Sequence, residues 1–203
     1  MLTKIKKSVL QLSMRWPHVV GMAILSGVIT GVLAQTSFLA DTSFTDIAVS
    51  HEWWVLFAML IIVSQKHWVQ AALKVLVFFL ISQTLVFVVE WLIVKEFYFA
   101  YWYRWMEESL LTAPGALLVW LGYKKEGILQ DVILALPISL LCFIGITYCI
   151  LFVQNPPFHL LTIVFCFVQA LFWLYVLREK SKDRWLCLVF TILLVVIACL
   201  VLL

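Results

Sequence analysis

The residues of this sequence that could bind another molecule are most crowded in the segment 90–115. Aromatic side chains fill most of positions 97–105, Arg104 lies among them, and the carboxylates Glu107 and Glu108 follow. Aromatic rings that combine an apolar face with a polar edge are enriched where a membrane meets water. This segment is therefore predicted to lie at a membrane boundary and to carry the main candidate binding site.

The candidate site combines several kinds of polar group with an aromatic wall, an arrangement that suits an amphiphilic ligand. Gln83 and Glu90 are seven positions apart and share a face of one helix, so Glu90 is expected to point into the bundle or to meet Lys95 or Arg104. The candidate ligand-binding residues are Gln83, Glu90, Trp102, Arg104, Glu107, Glu108, His159 and Gln169. The leading interpretation is a multi-pass membrane protein that binds or transports a small amphiphilic molecule or lipid through a site open to the outer face.

An intramembrane enzyme is one alternative. The pair Glu107-Glu108 resembles the prenyl-protein-protease-like membrane family, in which arginine closely follows a Glu-Glu pair and histidines on later helices complete the site. The resemblance implies an enzyme that uses Glu107, Glu108 and His159. Here no arginine follows the pair in the same stretch, and His159 is the only later histidine, so membership of the family is rejected. An enzyme of another kind stays open as an alternative.

A scaffolding or regulatory subunit of a membrane complex is the second alternative. Ala23, Gly27 and Gly31 recur at four-residue spacing, a pattern of small residues that lets two membrane helices approach closely. This face is the predicted contact for a membrane-protein partner.

Other kinds of chemistry lack their sequence patterns. None of the motifs G-x-x-x-x-G-K-[ST], H-E-x-x-H and G-x-S-x-G occurs. All five cysteines lie within apolar runs, and no Cys/His spacing suggests a metal site or a disulfide framework. The sequence therefore predicts no cofactor, no metal ligand and no identifiable catalytic residue, and it favours a binding protein over an enzyme.

The composition is that of an integral membrane protein. The chain has 203 residues, of which 65% are hydrophobic and 12% charged, whereas a soluble domain has about 25% charged residues. Apolar runs recur throughout with only short polar breaks, which indicates a single transmembrane domain over 1–203. The expected partner is the lipid bilayer, and nucleic acid is excluded.

The predicted fold class is an all-α, polytopic membrane helical bundle with about seven transmembrane helices. The number falls to about six if the first helix is cleaved as a signal peptide or the second is re-entrant. The predicted helices are about 17–35, 47–64, 73–94, 107–123, 128–153, 158–177 and 185–203, with an interfacial aromatic segment over 95–106.

The second predicted helix decides the topology. If it spans the membrane, every one of the 14 lysines and arginines except Lys95 and Arg104 lies on one side. The positive-inside rule strongly favours this arrangement. The chain is accordingly expected in the plasma membrane with its N-terminus in the cytoplasm and its C-terminus outside.

Three local features carry further expectations. Glu107-Glu108 is interpreted as acidic residues in the first turn of a helix, where the helix dipole favours them. Pro114-Gly115 is expected to kink or break that helix and to face the bundle interior. The basic segment 178–184 is interpreted as a cytoplasmic loop that orients the helices, with attraction of anionic lipid headgroups as a further possibility.

Overall fold

A computed structural model describes residues 12–49, 51–154, 159–178 and 180–202. The expected lysines Lys4, Lys6 and Lys7 and the expected break at 155–157 lie outside the described residues. Within them the chain is helical with no strand, so the predicted all-α class is confirmed. The helices are α1 Trp16–Ala34, α2 Ser43–Val49, α3 Glu52–Val63, α4 Trp68–Val94, α5 Phe99–Lys124, α6 Ile128–Gln154, α7 Leu160–Leu177 and α8 Ser181–Leu202.

Five of these helices are long and apolar enough to cross a membrane: α1, α4, α6, α7 and most of α8. The chain is thus a membrane-embedded helical protein, as its composition predicts. The shorter helix α3 is also apolar, but it has only 12 residues. The total of seven spanning helices stays a prediction.

The second predicted helix, 47–64, is divided in the structure. Its first residues belong to the short helix α2, and α3 begins only at Glu52. Glu52 is buried and is the first residue of α3, where a carboxylate suits the positive end of the helix dipole.

The aromatic segment and the fourth predicted helix form one helix in the structure. Helix α5 begins at Phe99 and continues for 26 residues through Pro114 to Lys124. The predicted start of the fourth helix near 107 is therefore wrong, because aromatic residues are adequate helix formers and nothing interrupts the helix before Pro114. The interfacial location of the segment 95–106 stays a prediction. Glu107-Glu108 lies in the third turn of α5, so its interpretation as a helix start is also wrong.

The expectation that Pro114-Gly115 breaks the helix and faces the bundle interior is wrong as well, while a kink there stays a prediction. Both residues are exposed, and the helix is continuous through them. A Cβ atom added to Gly115 would meet no heavy atom within 4 Å. A proline costs a helix one backbone hydrogen bond, and here that cost does not break the helix.

The described chain divides into two compact units. Unit 1 contains the described parts of Met1–Val49 and Phe57–Trp120, and unit 2 contains those of Ser50–Leu56 and Leu121–Leu203. The single domain over 1–203 stays a prediction.

Unit 1 is built on the contact between α1 and α4. A Cβ atom on Gly27 would lie 2.5 Å from the Ser82 carbonyl oxygen, and one on Gly31 would lie 3.0 Å from the Val86 oxygen. Only a residue without a side chain permits this approach. The small-residue face therefore packs against a helix of the same chain.

The two helices run in the same direction. Lys74, near the start of α4, donates to the carbonyl oxygen of Met14, just before α1, and Gln35, just after α1, donates to Glu90 near the end of α4. The chain must therefore return between them, and Gln65 lies beside Met14, with its Nε2 atom 3.4 Å from the Met14 oxygen. By Gln65 the chain is thus back at the end of α1 where Met14 lies.

Unit 1 consequently has two ends, which we call the Met14 end and the Gln35 end. Helix α5 returns from the Gln35 end, because the Trp120 indole at its far end donates to the Gln65 carbonyl oxygen at 3.1 Å. In unit 2, α6 packs against both α7 and α8. A Cβ atom on Gly145 of α6 would come 3.1 Å from the Phe167 ring of α7, so these helices also pack closely.

We expect Gly27→Ala to lower the free energy of unfolding by about 1–3 kcal/mol, because its methyl group would collide with backbone rather than with a flexible side chain. The control is Gly21→Ala in the same helix, where an added Cβ meets nothing within 4 Å. Thermal unfolding of both variants in one detergent checks the difference. Equal midpoints would contradict the packing of α1 on α4.

Candidate functional site

The candidate site begins with Glu90 at the Gln35 end of unit 1. Glu90 lies in the last two turns of α4 and is half-buried. Its Oε1 atom accepts a hydrogen bond of 3.1 Å from Nε2 of Gln35. A neutral amide, rather than the expected Lys95 or Arg104, is therefore the hydrogen-bond partner that the structure gives this carboxylate.

A tight turn brings the aromatic residues back to the end of α4. Lys95 adopts the left-handed conformation with φ of 65°, and its backbone N–H donates to the Trp91 carbonyl oxygen at 2.9 Å. This ends α4, and α5 begins four residues later at Phe99. A lysine here is uncommon, since this conformation mostly suits glycine or asparagine.

The rings form a connected aromatic cluster at this turn, composed of Phe87, Phe97, Phe99 and Trp102. The Phe97 centroid lies 6.5 Å from that of Phe87 on α4 and 6.3 Å from that of Trp102 on α5. Phe99 and Trp102 lie closer, at 5.4 Å. Phe87 is one turn before Glu90 on the same face of α4, so the aromatic cluster and the carboxylate lie side by side.

Arg104, a further charged group of this end, is paired locally. Arg104 Nε lies 3.2 Å from Glu108 Oε1, one turn along α5, with exposed side-chain fractions of 76% and 43%. Such an exposed pair contributes at most about 1 kcal/mol. Arg104 thus meets Glu108, and the expected pairing with Glu90 is not formed.

Two tyrosines of this end also pair with carboxylates. The Tyr98 hydroxyl donates to Glu96 at 3.0 Å. The same kind of hydrogen bond joins Tyr103 to Glu107, and each carboxylate raises the pKa of its tyrosine because it stabilises the protonated hydroxyl. Glu107 and Glu108 are therefore both engaged by residues one turn before them on α5.

Gln83 and Trp102 differ from these groups in that each has a polar atom without a partner. Gln83 is 3% exposed, and its Nε2 atom is buried with no hydrogen-bond partner among the described residues. The same holds for Nε1 of Trp102, although that residue is only half-buried. Gln83 lies about 10 Å below Glu90 along α4, at about 1.5 Å per residue.

His159 and Gln169, the last two predicted site residues, belong to unit 2. The His159 ring lies 5.2 Å from that of Tyr148. Gln169 donates to the Glu52 carbonyl oxygen at 3.1 Å and accepts from the Trp173 indole at 3.4 Å. The amide nitrogen and the amide oxygen of Gln169 are therefore both hydrogen-bonded within unit 2. Its burial is explained without a ligand.

Sequence reasoning missed two buried polar clusters. The first is at the Met14 end, around Lys74 near the start of α4. Lys74 is 5% exposed and donates to the Met14 carbonyl oxygen at 2.6 Å and to Gln65 Oε1 at 2.7 Å. Its Nζ atom also lies 5.7 Å from the Trp16 ring centroid, within range of a cation–π contact.

The second missed cluster is an ion pair in unit 2. Arg178 Nε lies 2.6 Å from Asp131 Oδ1, and both side chains are at most 5% exposed. Arg178 Nη1 also donates to the Lys125 carbonyl oxygen at 3.1 Å. The only sequence signal was an aspartate inside the first turns of an apolar helix, which usually requires a partner.

Within the described residues, no group of three or more His, Cys, Asp or Glu side chains could hold a metal ion. In the comparisons with known proteins, no family model, no curated protein and no solved structure matches this chain. What the geometry offers is one half-buried carboxylate beside apolar ring faces.

The two buried glutamines should respond oppositely to removal of their amides. Gln169→Leu should lower the free energy of unfolding by about 1–3 kcal/mol, because it leaves the Glu52 carbonyl and the Trp173 indole without their partner. Gln83→Leu should leave it unchanged or raise it, because the lost Nε2 atom has no partner among the described residues. Thermal unfolding of both variants in one detergent measures the two changes. A larger loss of stability for Gln83→Leu than for Gln169→Leu would contradict the prediction.

Proposed function

We propose that this membrane protein binds a small amphiphilic molecule or a lipid at the Gln35 end of unit 1. The observation that carries the proposal is the half-buried Glu90, held by Gln35, beside the aromatic cluster of Phe87, Phe97, Phe99 and Trp102. The rings would take the apolar part of the ligand, and the carboxylate would accept from its headgroup.

The headgroup is expected to donate hydrogen bonds or to carry positive charge. Glu90 receives only an amide from the described chain, so it keeps acceptor capacity for a donor on the ligand. A cation would also be attracted to the faces of the neighbouring rings. A carrier and a receptor subunit both bind their ligand. Transport would require this binding step first.

The site is proposed to open to the outer face of the plasma membrane. The Met14 end of unit 1 carries Arg15, Lys66 and Lys74, whereas the Gln35 end carries Lys95 and Arg104 together with several carboxylates. The more basic end belongs in the cytoplasm. The N-terminus would then be cytoplasmic and the C-terminus outside.

Ligand binding can be measured by quenching of tryptophan fluorescence with brominated single-chain amphiphiles of different headgroups, using the full-length protein in nanodiscs. We expect saturable quenching that Trp102→Phe reduces. The control is Trp185→Phe, which removes an exposed indole from unit 2.

Within the same assay, Glu90→Gln should weaken binding of a cationic amphiphile by about tenfold or more, since a hydrogen bond to a charged group contributes about 1.5–3 kcal/mol. Asp41→Asn is the matched carboxylate-to-amide control, at an exposed position with a left-handed conformation that asparagine also adopts. The proposal fails if quenching does not saturate, or if Glu90→Gln and Asp41→Asn behave alike.

The orientation has its own test in the full-length chain. An epitope tag inserted in the turn 95–98 should be accessible to antibody on intact cells, and one at 180–182 only after permeabilisation. The opposite pattern would place the aromatic cluster in the cytoplasm and would contradict an outward-facing site.

A further inference from the structure

Two turns of unit 2 are joined by side-chain ion pairs at one end of its helices. The first turn joins α5 to α6 and contains Lys125 and Glu126, and the second joins α7 to α8 and contains Arg178 and Lys180. The buried pair of Arg178 with Asp131 and the exposed pair of Lys180 with Glu126, at 2.6 Å each, connect them. We call this pair of turns the basic clasp.

The clasp has a rigid base. Arg178 is buried, bound to Asp131 through Nε, and donates through Nη1 to the Lys125 carbonyl oxygen. That carbonyl lies just beyond the end of α5, where unpaired carbonyl groups and the helix dipole both favour a cation. Gly127, with φ of 143°, completes the turn in a conformation that residues with side chains rarely adopt. The backbone of Lys124-Lys125 is thus fixed in place.

The basic clasp also exposes more basic side chains than its paired carboxylates neutralise. The carboxylates of Asp131 and Glu126 are each engaged by a cation. The pairing lowers the pKa of Glu126 and raises that of Lys180, so both stay charged at neutral pH. Lys124, Lys125 and Lys182 are exposed, and no ion pair joins them to another described residue.

Apolar side chains directly border these lysines. Ile128, Leu129 and Trp185 are each about two-thirds exposed and begin the apolar stretches of α6 and α8. Lys124 Nζ also lies 4.6 Å from the Tyr123 ring centroid, and Tyr and Trp mark the membrane boundary. In a membrane the lysines would therefore stand at the level of lipid headgroups, which separates them from a site for a soluble anion.

The geometry points to a binding site for the phosphate of an anionic phospholipid at the basic clasp, formed by Lys124, Lys125 and Lys182. Lysine binds phosphate as a point charge with up to three donors, and several lysines near the bilayer surface act together. The fixed turn holds two of them in place before the lipid arrives. This site is independent of the amphiphile site proposed for unit 1.

The test measures lipid binding by native mass spectrometry of the full-length protein in neutral detergent, with added phosphatidylglycerol or phosphatidylcholine. We expect phosphatidylglycerol to bind at least tenfold more tightly. The double change Lys124→Gln/Lys125→Gln should weaken it by about twentyfold, since each lysine near a membrane surface contributes about fivefold. Arg15→Gln/Lys66→Gln removes the same charge from two exposed residues of unit 1 that belong to neither proposed site, and it should have little effect.

A third variant distinguishes a site that depends on the geometry of the turn from attraction by positive charge alone. Gly127→Ala keeps every charge but strains the turn, so it should weaken phosphatidylglycerol binding while thermal unfolding shows that the protein still folds. Equal losses in the two double variants, or no effect of Gly127→Ala, would overturn the proposal. Competition by millimolar inorganic phosphate would also overturn it, because the site would then take a soluble anion.

Discussion

The close approach of α1 and α4 at Gly27 and Gly31 is the contact on which the rest of unit 1 depends. In lipid, apolar side chains gain little by meeting each other, so backbone approach between small residues provides much of the packing. Because the two helices run in parallel, no short turn can join them, and the chain must return from Gln35 to Gln65, beside Met14, before α4 begins. The ends of this pair then define where each polar cluster of the unit lies.

A second constraint is that hydrocarbon supplies no hydrogen bonds, so each buried polar group needs a partner from the protein. Lys74, Arg178 and Gln169 find such partners in the same way, since each donates to a backbone carbonyl at or beside the start or end of a helix. Of the polar atoms of these three side chains, only Nη2 of Arg178 has no partner among the described residues. These contacts join distant parts of the chain, with 47 positions between Arg178 and Asp131. They connect helix ends where loops alone would leave them free to move.

The sequence predicted the long apolar helices well and the interruptions poorly. The predicted range 17–35 corresponds to Trp16–Ala34, and 128–153 to Ile128–Gln154, because the boundary between apolar and polar residues is sharp there. The start of α5 was missed, since aromatic residues fit both a membrane boundary and a helix. The partners of Glu90 and Lys74 could not be predicted, because sequence spacing reveals a shared helix face but not which distant side chain packs against it.

The two ends of the α1–α4 pair differ in how completely the hydrogen-bonding capacity of their charged groups is used. We use this difference to distinguish a structural end of unit 1 from a functional one. Lys74 has two oxygen acceptors and a nearby ring, so its surroundings complete its coordination and leave no place for a ligand. Among the described residues Glu90 has one amide donor, and it is only half-buried, although a carboxylate can accept several hydrogen bonds. Natural proteins keep incompletely satisfied groups chiefly where binding or catalysis uses them. By that argument the Met14 end stabilises the helix pair, and the Gln35 end is where we propose that this protein binds another molecule.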